Sequence, residues 1–287
     1  MGIRFFASML CVGVLCLGVL SIGGPAGAAT LDRIRDSGTV KLGYRLDAAP
    51  FSFADSAGLP AGYSLMLCNA VVNSVRAALQ RDDIKVEYVL VSSDDRFEAL
   101  QSGKVDLICG ATTVTLERRQ MADFSLLSFV TGSSVLYRKG GPSNFLDLVG
   151  QKVGVRTGTT TEAGLQRALK DAGIEAQVVA VDSHEEGLRA LEDGELAAYF
   201  ADRAILATLG AGAANPANLV LSDRFFSYEP YALALQRGDS DFRLLVDSTL
   251  ARLYRSKAIV KIYQASFGNA HMSDLLRATF TLQAIPE

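Results

Sequence analysis

A turn of small and hydroxyl-bearing residues directly follows a predicted buried strand in the first half of the chain. This turn, residues 109–113 (CGATT), contains Ala111 and Thr113, and Arg118 and Arg119 lie just beyond it. Ligands of α/β proteins bind at the carboxyl ends of strands, and a guanidinium binds a carboxylate through two parallel hydrogen bonds. The pattern therefore predicts a carboxylate site, although a threonine-rich helix cap with surface arginines would have the same composition.

A second polar turn, residues 156–162 (RTGTTTE), separates a predicted strand from a predicted helix and contains Thr157 and Thr160. The free N–H groups at a helix N-terminus bind anions. The turn lacks the lysine and the spacing of a P-loop, which disfavours a nucleotide. Ordinary N-capping by a capping box is the alternative explanation.

Four single charged or polar residues also fall at strand ends of the predicted sheets: Arg45, Arg96, His184 and Asp202. Any one of them alone is more often a solvated surface residue. Because strand ends of one sheet edge lie together, their shared position favours one common site.

The elements that must position these residues alternate between strand and helix. Period-2 and helical spacing predict strands at residues 39–43, 85–91 and 105–109 and helices at residues 63–79 and 96–102. A second unit repeats this order, with strands at residues 151–155, 175–181 and 197–200 and helices at residues 160–172 and 185–192. The helix ends ALQSG (residues 99–103) and ALEDG (residues 190–194) match, which indicates two α/β lobes of one architecture, each with a mostly parallel sheet.

Two strand-like segments, residues 134–138 and 231–235, are predicted to cross between the lobes. Helices at residues 241–256 and 258–267 follow the second crossing. We therefore expect a discontinuous first lobe (residues 29–135 plus 233–287) and an inserted second lobe (residues 136–232). Two crossings form a hinge with a cleft, and clefts between domains are preferred ligand sites.

The N-terminus has the pattern of a secretory signal peptide. Arg4 precedes an uncharged, mostly apolar run at residues 5–22, and Ala26-Gly27-Ala28 has the small-x-small form of a cleavage site. We expect cleavage after Ala28 and a periplasmic product. An uncleaved anchor is the alternative, because the run is nearly long enough to span a bilayer.

Composition limits the function classes. The chain has 287 residues, 49% of them hydrophobic, and a net charge of −3 without a basic block, which is typical of globular proteins that do not bind nucleic acid. Two histidines and no Cys/His cluster predict no metal site, and no cofactor is expected. Once the leader is removed, Cys68 and Cys109 remain, either as a disulfide or as two buried thiols.

Jointly, five segments carry a resemblance to the periplasmic solute-binding proteins for polar amino acids that serve ABC importers. The resemblance is strongest to the glutamate/aspartate-binding members and covers residues 31–267. The segments are GTVKLGYR…PFSF (residues 38–53), GYSLMLCNAV (62–71), SSDDRFEALQSGKVDLICGATTVTLERR (92–119), LVGQKVGVRTGTTTE (148–162) and DSHEEGLRALEDGELAAYFADRAIL (182–206). It implies a two-lobed type II periplasmic binding protein fold, capture of an amino acid without catalysis, and delivery to the membrane permease subunits by a monomer.

The resemblance also implies roles for individual residues. Arg118, assisted by Thr113 and the backbone at Ala111, clamps the α-carboxylate, and Asp202 pairs with the α-ammonium. Thr157 and Thr160 lie in the matching threonine-rich loop of the second lobe, which contacts the ligand carboxylates after closure. The residues expected at the side-chain carboxylate are Arg45, Ser93, Arg96 and His184, and three basic residues there favour glutamate or aspartate. Relatives often have serine where this chain has Ala111, which removes one hydroxyl ligand. They often pair the cysteines at positions 68 and 109, which favours the disulfide.

An enzyme on the same fold is the main alternative. Periplasmic dehydratases acting on arogenate or prephenate resemble this family, and they need an acid in the cleft that protonates a leaving hydroxyl. Glu162 and Glu229 are conceivable candidates. A sensory ectodomain is not expected, because no transmembrane or signalling segment is recognisable between the leader and Glu287.

Overall fold

The computed structural model describes residues 1–2 and 30–287, so the expected signal peptide lies almost wholly outside the described residues. The strands are β1 (Thr39–Tyr44), β2 (Asp47–Ala48), β3 (Ser52–Ala54), β4 (Pro60–Ala61), β5 (Lys85–Leu90), β6 (Leu107–Ile108), β7 (Ala122–Thr131), β8 (Ser133–Arg138), β9 (Lys152–Arg156), β10 (Gln177–Val181), β11 (Ala198–Asp202), β12 (Leu219–Leu221) and β13 (Glu229–Gln236). The α-helices are α1 (Thr30–Ser37), α2 (Tyr63–Leu79), α3 (Arg96–Gln101), α4 (Thr160–Asp171), α5 (His184–Glu192), α6 (Arg203–Gly212), α7 (Ser240–Arg255), α8 (Ala258–Phe267) and α9 (Asp274–Leu282).

Two five-stranded sheets form the centres of the two lobes. The first has the order β5-β1-β6-β13-β7 and the second the order β10-β9-β11-β8-β12. In each sheet four strands point the same way, and one strand, β13 or β8, runs against them. Strand β11 is buried along its whole length, as expected for a central strand covered on both faces. The predicted two-lobed α/β fold with mostly parallel sheets is confirmed.

The chain changes sheets at two places. Strand β7 ends one residue before Gly132 and β8 begins one residue after it, whereas the return runs through residues 222–228. A Cβ on Gly132 would lie 2.2 Å from the carbonyl oxygen of Ser227, so the two connections pack closely together. The expected boundaries at 135 and 233 thus fall inside strands, because an apolar run predicts a strand but not the sheet to which it hydrogen-bonds.

The C-terminal helices return to the first lobe, where α7 packs on α2 and β7 and α8 packs on α2. Beneath β13 lies a cluster of edge-on and stacked aromatic rings, with centroid distances such as 5.1 Å for Phe51–Tyr231 and 5.1 Å for Phe129–Phe267. These rings pack against β13, the strand by which the chain re-enters the first lobe.

A disulfide joins Cys68 on α2 to Cys109 at the end of β6, closing a sequence separation of 41 residues. The pairing implied by the resemblance is therefore present. None of the helices in residues 30–287 is long and apolar enough to cross a membrane.

Candidate functional site

A small cavity between the two lobes gathers eight of the ten predicted site residues. They are Arg45, Arg96, Ala111, Thr113, Arg118, Thr160, His184 and Asp202. The other two lie beside it, where Ser93 Oγ donates a hydrogen bond of 2.8 Å to the carbonyl oxygen of Thr157 across the cleft.

The elements bring these side chains together as the sequence predicts. Arg45 follows the end of β1, and Asp202 is the last residue of β11. Arg96 and His184 are the first residues of α3 and α5. Strand ends and helix starts of both sheets therefore face one another across the cleft, as in other α/β proteins.

Arg118 is almost buried and is held by its own turn. Its Nη1 donates a hydrogen bond of 3.0 Å to the carbonyl oxygen of Thr113, and its guanidinium carbon lies 5.5 Å from the centre of the Phe97 ring. Burial lowers the pKa of Arg118, and the carboxylates of Glu229 and Asp202 oppose that effect. The side chain remains a cation, because guanidinium stays protonated in proteins.

Arg96 is the most under-satisfied cation of the site. Its side chain is 1% exposed, and Nε and Nη1 have no hydrogen-bond partner within residues 30–287. Nη2 donates only a long hydrogen bond of 3.4 Å to the carbonyl oxygen of Gly158. Burial, followed by repulsion from Arg118 and Arg45, lowers the pKa of Arg96 well below its usual value. A buried cation with free donors creates a strong local demand for an anion.

Arg45 already has a carboxylate partner. Its Nε donates to Asp47 Oδ1 at 2.9 Å, and Nη2 lies 2.7 Å from the same oxygen. Although burial raises the pKa of Asp47, the guanidinium groups of Arg45 and Arg156 hold it below its usual range. Asp47 was not predicted as a site residue, yet its position two residues after Arg45 at a strand end was a usable signal.

His184 is fully buried. Its Nδ1 shares a hydrogen bond of 2.8 Å with the Tyr199 hydroxyl. Burial, with repulsion from Arg45, lowers the pKa of His184 to about 3. The ring is therefore neutral at physiological pH. His184 thus supplies a hydrogen-bonding nitrogen and no charge to the cavity, and its expected place at the ligand side-chain carboxylate stays a prediction.

Asp202 contributes a carboxyl group to the lining of the cavity. Its Oδ2 accepts a hydrogen bond from the Tyr231 hydroxyl of the other lobe, whereas Oδ1 is buried without a partner in the described part of the chain. Burial, with repulsion from Glu229, raises the pKa of Asp202 to about 7. A ligand ammonium would satisfy this oxygen and restore its charge.

Glu229 links the two predicted threonines. Its Oε2 accepts hydrogen bonds of 2.7 Å from Thr113 Oγ1 of the first lobe and from Thr160 Oγ1 of the second. Its Oε1 accepts a hydrogen bond of 2.5 Å from Ser227 Oγ. The sequence singled out Glu229 only as a candidate acid of an enzyme, because its contact across the cleft is with Thr160, 69 positions earlier in the chain.

Alanine at position 111 lines the cavity without offering a hydroxyl, and the neighbouring Thr112 Oγ1 is buried without a partner within residues 30–287. Further lining residues that the sequence did not assign are Thr159, Thr161 and Ile205. The described residues hold no group of three or more His, Cys, Asp or Glu side chains placed to bind a metal.

Known proteins resemble the chain over most of its length. The glutamate/aspartate import solute-binding protein of Salmonella typhimurium is 34% identical over 261 residues, 91% of this chain and 86% of the relative. The L-glutamate/L-aspartate-binding protein of Pseudomonas aeruginosa is 35% identical over 240 residues, covering 83% and 80%. The crystal structure of the ancestral amino acid-binding protein AncCDT-1, a precursor of cyclohexadienyl dehydratase, superimposes with a TM-score of 0.71 at 29% identity, covering 83% of this chain and 99% of that chain.

The family model of the bacterial extracellular solute-binding proteins, family 3, matches residues 40–269. That span includes every residue lining the cavity and both sheets except Thr39, the first residue of β1. The chain therefore belongs to the bacterial extracellular solute-binding proteins of family 3.

Proposed function

We propose that this protein captures an acidic amino acid, glutamate or aspartate, in the cavity between its lobes and delivers it to the permease of an ABC importer. The observation that carries the proposal is the buried Arg96, whose Nε and Nη1 have no partner among the described residues, beside Arg118 in the same cavity. Two guanidinium groups suit two carboxylates, and Asp202 suits one ammonium. The glutamate/aspartate-binding names of two relatives agree with this charge pattern.

In this proposal Arg118 holds the α-carboxylate and Asp202 the α-ammonium. Arg96, with Arg45 and the neutral His184, receives the side-chain carboxylate, and Ser93, Thr157 and the hydroxyls of Thr113 and Thr160 complete the contacts at the closed cleft. Ligand bridging both lobes would stabilise the closed form, which an importer can recognise. Such a protein works as a monomer in the periplasm after its leader is removed.

A catalytic function is less well supported. A dehydratase needs a general acid that can donate a proton in the cleft. Both oxygens of Glu229 accept hydrogen bonds from hydroxyl groups, and Glu162 Oε2 accepts one of 3.1 Å from the Gly158 N–H at the helix start. Glu162 thus accepts a hydrogen bond at the turn before α4, whereas Glu229 accepts hydrogen bonds from hydroxyl groups of both lobes. Asp202, whose pKa of about 7 would suit a proton donor, is assigned here to the ligand ammonium. We therefore propose a binding protein without catalytic activity.

A thermal-shift screen of the twenty amino acids, followed by calorimetry, tests the proposal. Ligand at 1,000 times its dissociation constant stabilises a protein by about 4 kcal/mol, which gives a shift of several degrees. We expect glutamate, aspartate or both to give the largest shift. The proposal is overturned if neither acidic amino acid shifts the melting temperature while another amino acid does.

A further inference from the structure

Arg156 of the second lobe lies between two carboxylates of the first lobe. Its Nε donates to Asp47 Oδ2 at 3.2 Å, and its Nη1 donates to Asp94 Oδ2 at the same distance. Arg156 is the last residue of β9, whereas Asp47 belongs to β2 and Asp94 precedes α3. Both ion pairs therefore span the cleft between the lobes.

The two ion pairs differ in burial. The side chains of Arg156 and Asp47 are 5% and 12% exposed, whereas that of Asp94 is 53% exposed. An exposed pair contributes little, because water and salt screen it. The pair with Asp47 is largely buried. Removing the Asp47 carboxylate would therefore leave the buried Arg156 guanidinium without its main partner.

The neighbouring backbone is shaped for this contact. Gly158 has φ +66°, and a Cβ at this position would lie 2.0 Å from Asp94 Oδ1. The positive φ favours glycine at this position, and the missing Cβ leaves room for the Asp94 carboxylate beside the turn. The hydrogen bond from Ser93 Oγ to the Thr157 carbonyl oxygen closes the same junction.

None of these three charged residues lines the ligand cavity, but Asp47 touches a residue that does. Its Oδ1 holds Arg45, while its Oδ2 holds Arg156. The carboxylate of Asp47 thus connects the lobe contact to the orientation of a guanidinium in the cavity.

We infer that Arg156, Asp47 and Asp94 form an interlobe clasp that stabilises the closed cleft and positions Arg45 without contacting the ligand. The inference rests on the proposed binding function. Arg156 is a positioning residue in this clasp: it slows ligand release and leaves the choice between ligands to the cavity.

The test compares the variants Arg156→Gln, Asp94→Asn and their combination with the parent protein. Stopped-flow kinetics and calorimetry give the dissociation rate and affinity for L-glutamate and L-aspartate. We expect Arg156→Gln to weaken both ligands about ten-fold by the same factor, mainly through faster release, and Asp94→Asn to weaken both about two-fold. The combined variant should be no weaker than Arg156→Gln alone, because the shared partner is already gone.

Two further variants make the result specific to the clasp. Arg156→Lys should recover part of the lost affinity, because one ammonium can still pair with Asp47. Arg81→Gln is the matched control, since Arg81 pairs with Asp83 inside the first lobe at 2.6 Å. Equal weakening in Arg81→Gln, affinity within two-fold of the parent in Arg156→Gln, or additive losses in the combined variant would each overturn the clasp.

Failure of the proposed function looks different. If the proposed function is wrong, the parent protein binds neither L-glutamate nor L-aspartate. The kinetic assay then uses the amino acid that stabilises the protein in the thermal-shift screen. Because the clasp does not touch the ligand, Arg156→Gln should weaken that amino acid by a similar factor. An unchanged dissociation rate for it would overturn the clasp independently.

Discussion

The Tyr231 hydroxyl on β13 of the first lobe donates a hydrogen bond to Oδ2 of Asp202, the last residue of β11 in the second lobe. This contact holds one carboxylate oxygen of Asp202 in place. The other oxygen, Oδ1, has no partner within residues 30–287, and the pKa of Asp202 rises to about 7, chiefly through burial. The protonation of Asp202 is therefore coupled to what binds in the cavity.

Ligand binding should release a proton near neutral pH. At pH 7 about half of the Asp202 carboxyl groups carry a proton when the pKa is about 7. A ligand ammonium beside Asp202 favours the charged form and lowers its pKa, so about half a proton leaves per ligand bound, and affinity rises as pH increases through 7. Calorimetry of glutamate binding in phosphate and in Tris measures this release. Proton uptake, or enthalpies that match in both buffers at pH 7, would contradict the assigned role.

The same carboxyl group should destabilise the ligand-free fold at alkaline pH. Its folded-state pKa, about 7, lies above its ordinary value of 3.8, so the folded state binds the proton more tightly. That stabilisation is complete below about pH 4 and is lost as pH rises through 7. We expect Asp202→Asn to raise the free energy of unfolding at pH 8 by about 2 kcal/mol and to change it little at pH 4.

Urea denaturation at both pH values measures this difference. The control is Glu195→Gln, which removes an exposed carboxylate from the same lobe. A destabilised Asp202→Asn variant at pH 8, or an equal gain in Glu195→Gln, would show that burial of Asp202 does not carry the effect.

The arginines of the cavity should separate general affinity from selectivity. Removing one partner of a buried charged contact costs about 2–5 kcal/mol, so Arg118→Ala should weaken glutamate and glutamine alike by at least about 30-fold. Arg96→Ala should weaken glutamate by a similar factor and glutamine by less than about five-fold. Calorimetry with both amino acids gives the ratio. Equal losses of both ligands in both variants would contradict the division of roles.

Loss of Arg96 should not harm the ligand-free fold. Its Nε and Nη1 have no partner in the described chain, so its removal deletes a buried, under-satisfied cation. We expect the ligand-free melting temperature of Arg96→Ala to equal or exceed that of the parent. A large drop would instead show that Arg96 holds the fold together.

The sequence predicted the long elements well and the short ones poorly. Helices α2 and α8 have the predicted limits, because their apolar residues repeat at helical spacing over several turns. The two- and three-residue strands β2 to β4 are too short for any periodicity. The ten-residue strand β7 was also missed, because Asp123, Ser125 and Ser128 interrupt its apolar residues and leave no clear alternation.

For the site, the sequence predicted which residues meet but not their electrostatic state. Strand ends brought eight predicted residues to one cavity. The neutral form of His184 depends on complete burial and on Arg45, and the contact of Arg156 with Asp47 joins residues 109 positions apart. Such properties arise only when two lobes close on each other, so no local pattern reports them.

Tyr199 should matter for acidic ligands through His184. When the Tyr199 hydroxyl donates to Nδ1, the imidazole proton sits on Nε2 and can be donated to a ligand carboxylate. We expect Tyr199→Phe to weaken glutamate about three- to ten-fold, the loss of roughly one hydrogen bond, with little change for glutamine. Tyr137→Phe, in a buried tyrosine of the same sheet, is the control. Similar losses in both variants would assign the effect to packing.

The disulfide should stabilise the first lobe without setting ligand affinity. A crosslink between positions 41 residues apart restricts the unfolded chain by about 4 kcal/mol in the loop-entropy estimate. We expect the double variant Cys68→Ala, Cys109→Ala to lose about 3–4 kcal/mol of unfolding free energy in urea, with glutamate affinity within about five-fold of the parent. Dithiothreitol should lower the stability of the parent but not of the variant. If reduction leaves the denaturation curve of the parent unchanged, the disulfide does not contribute to the free energy of unfolding. The two free thiols would then be as stable in the fold as the disulfide.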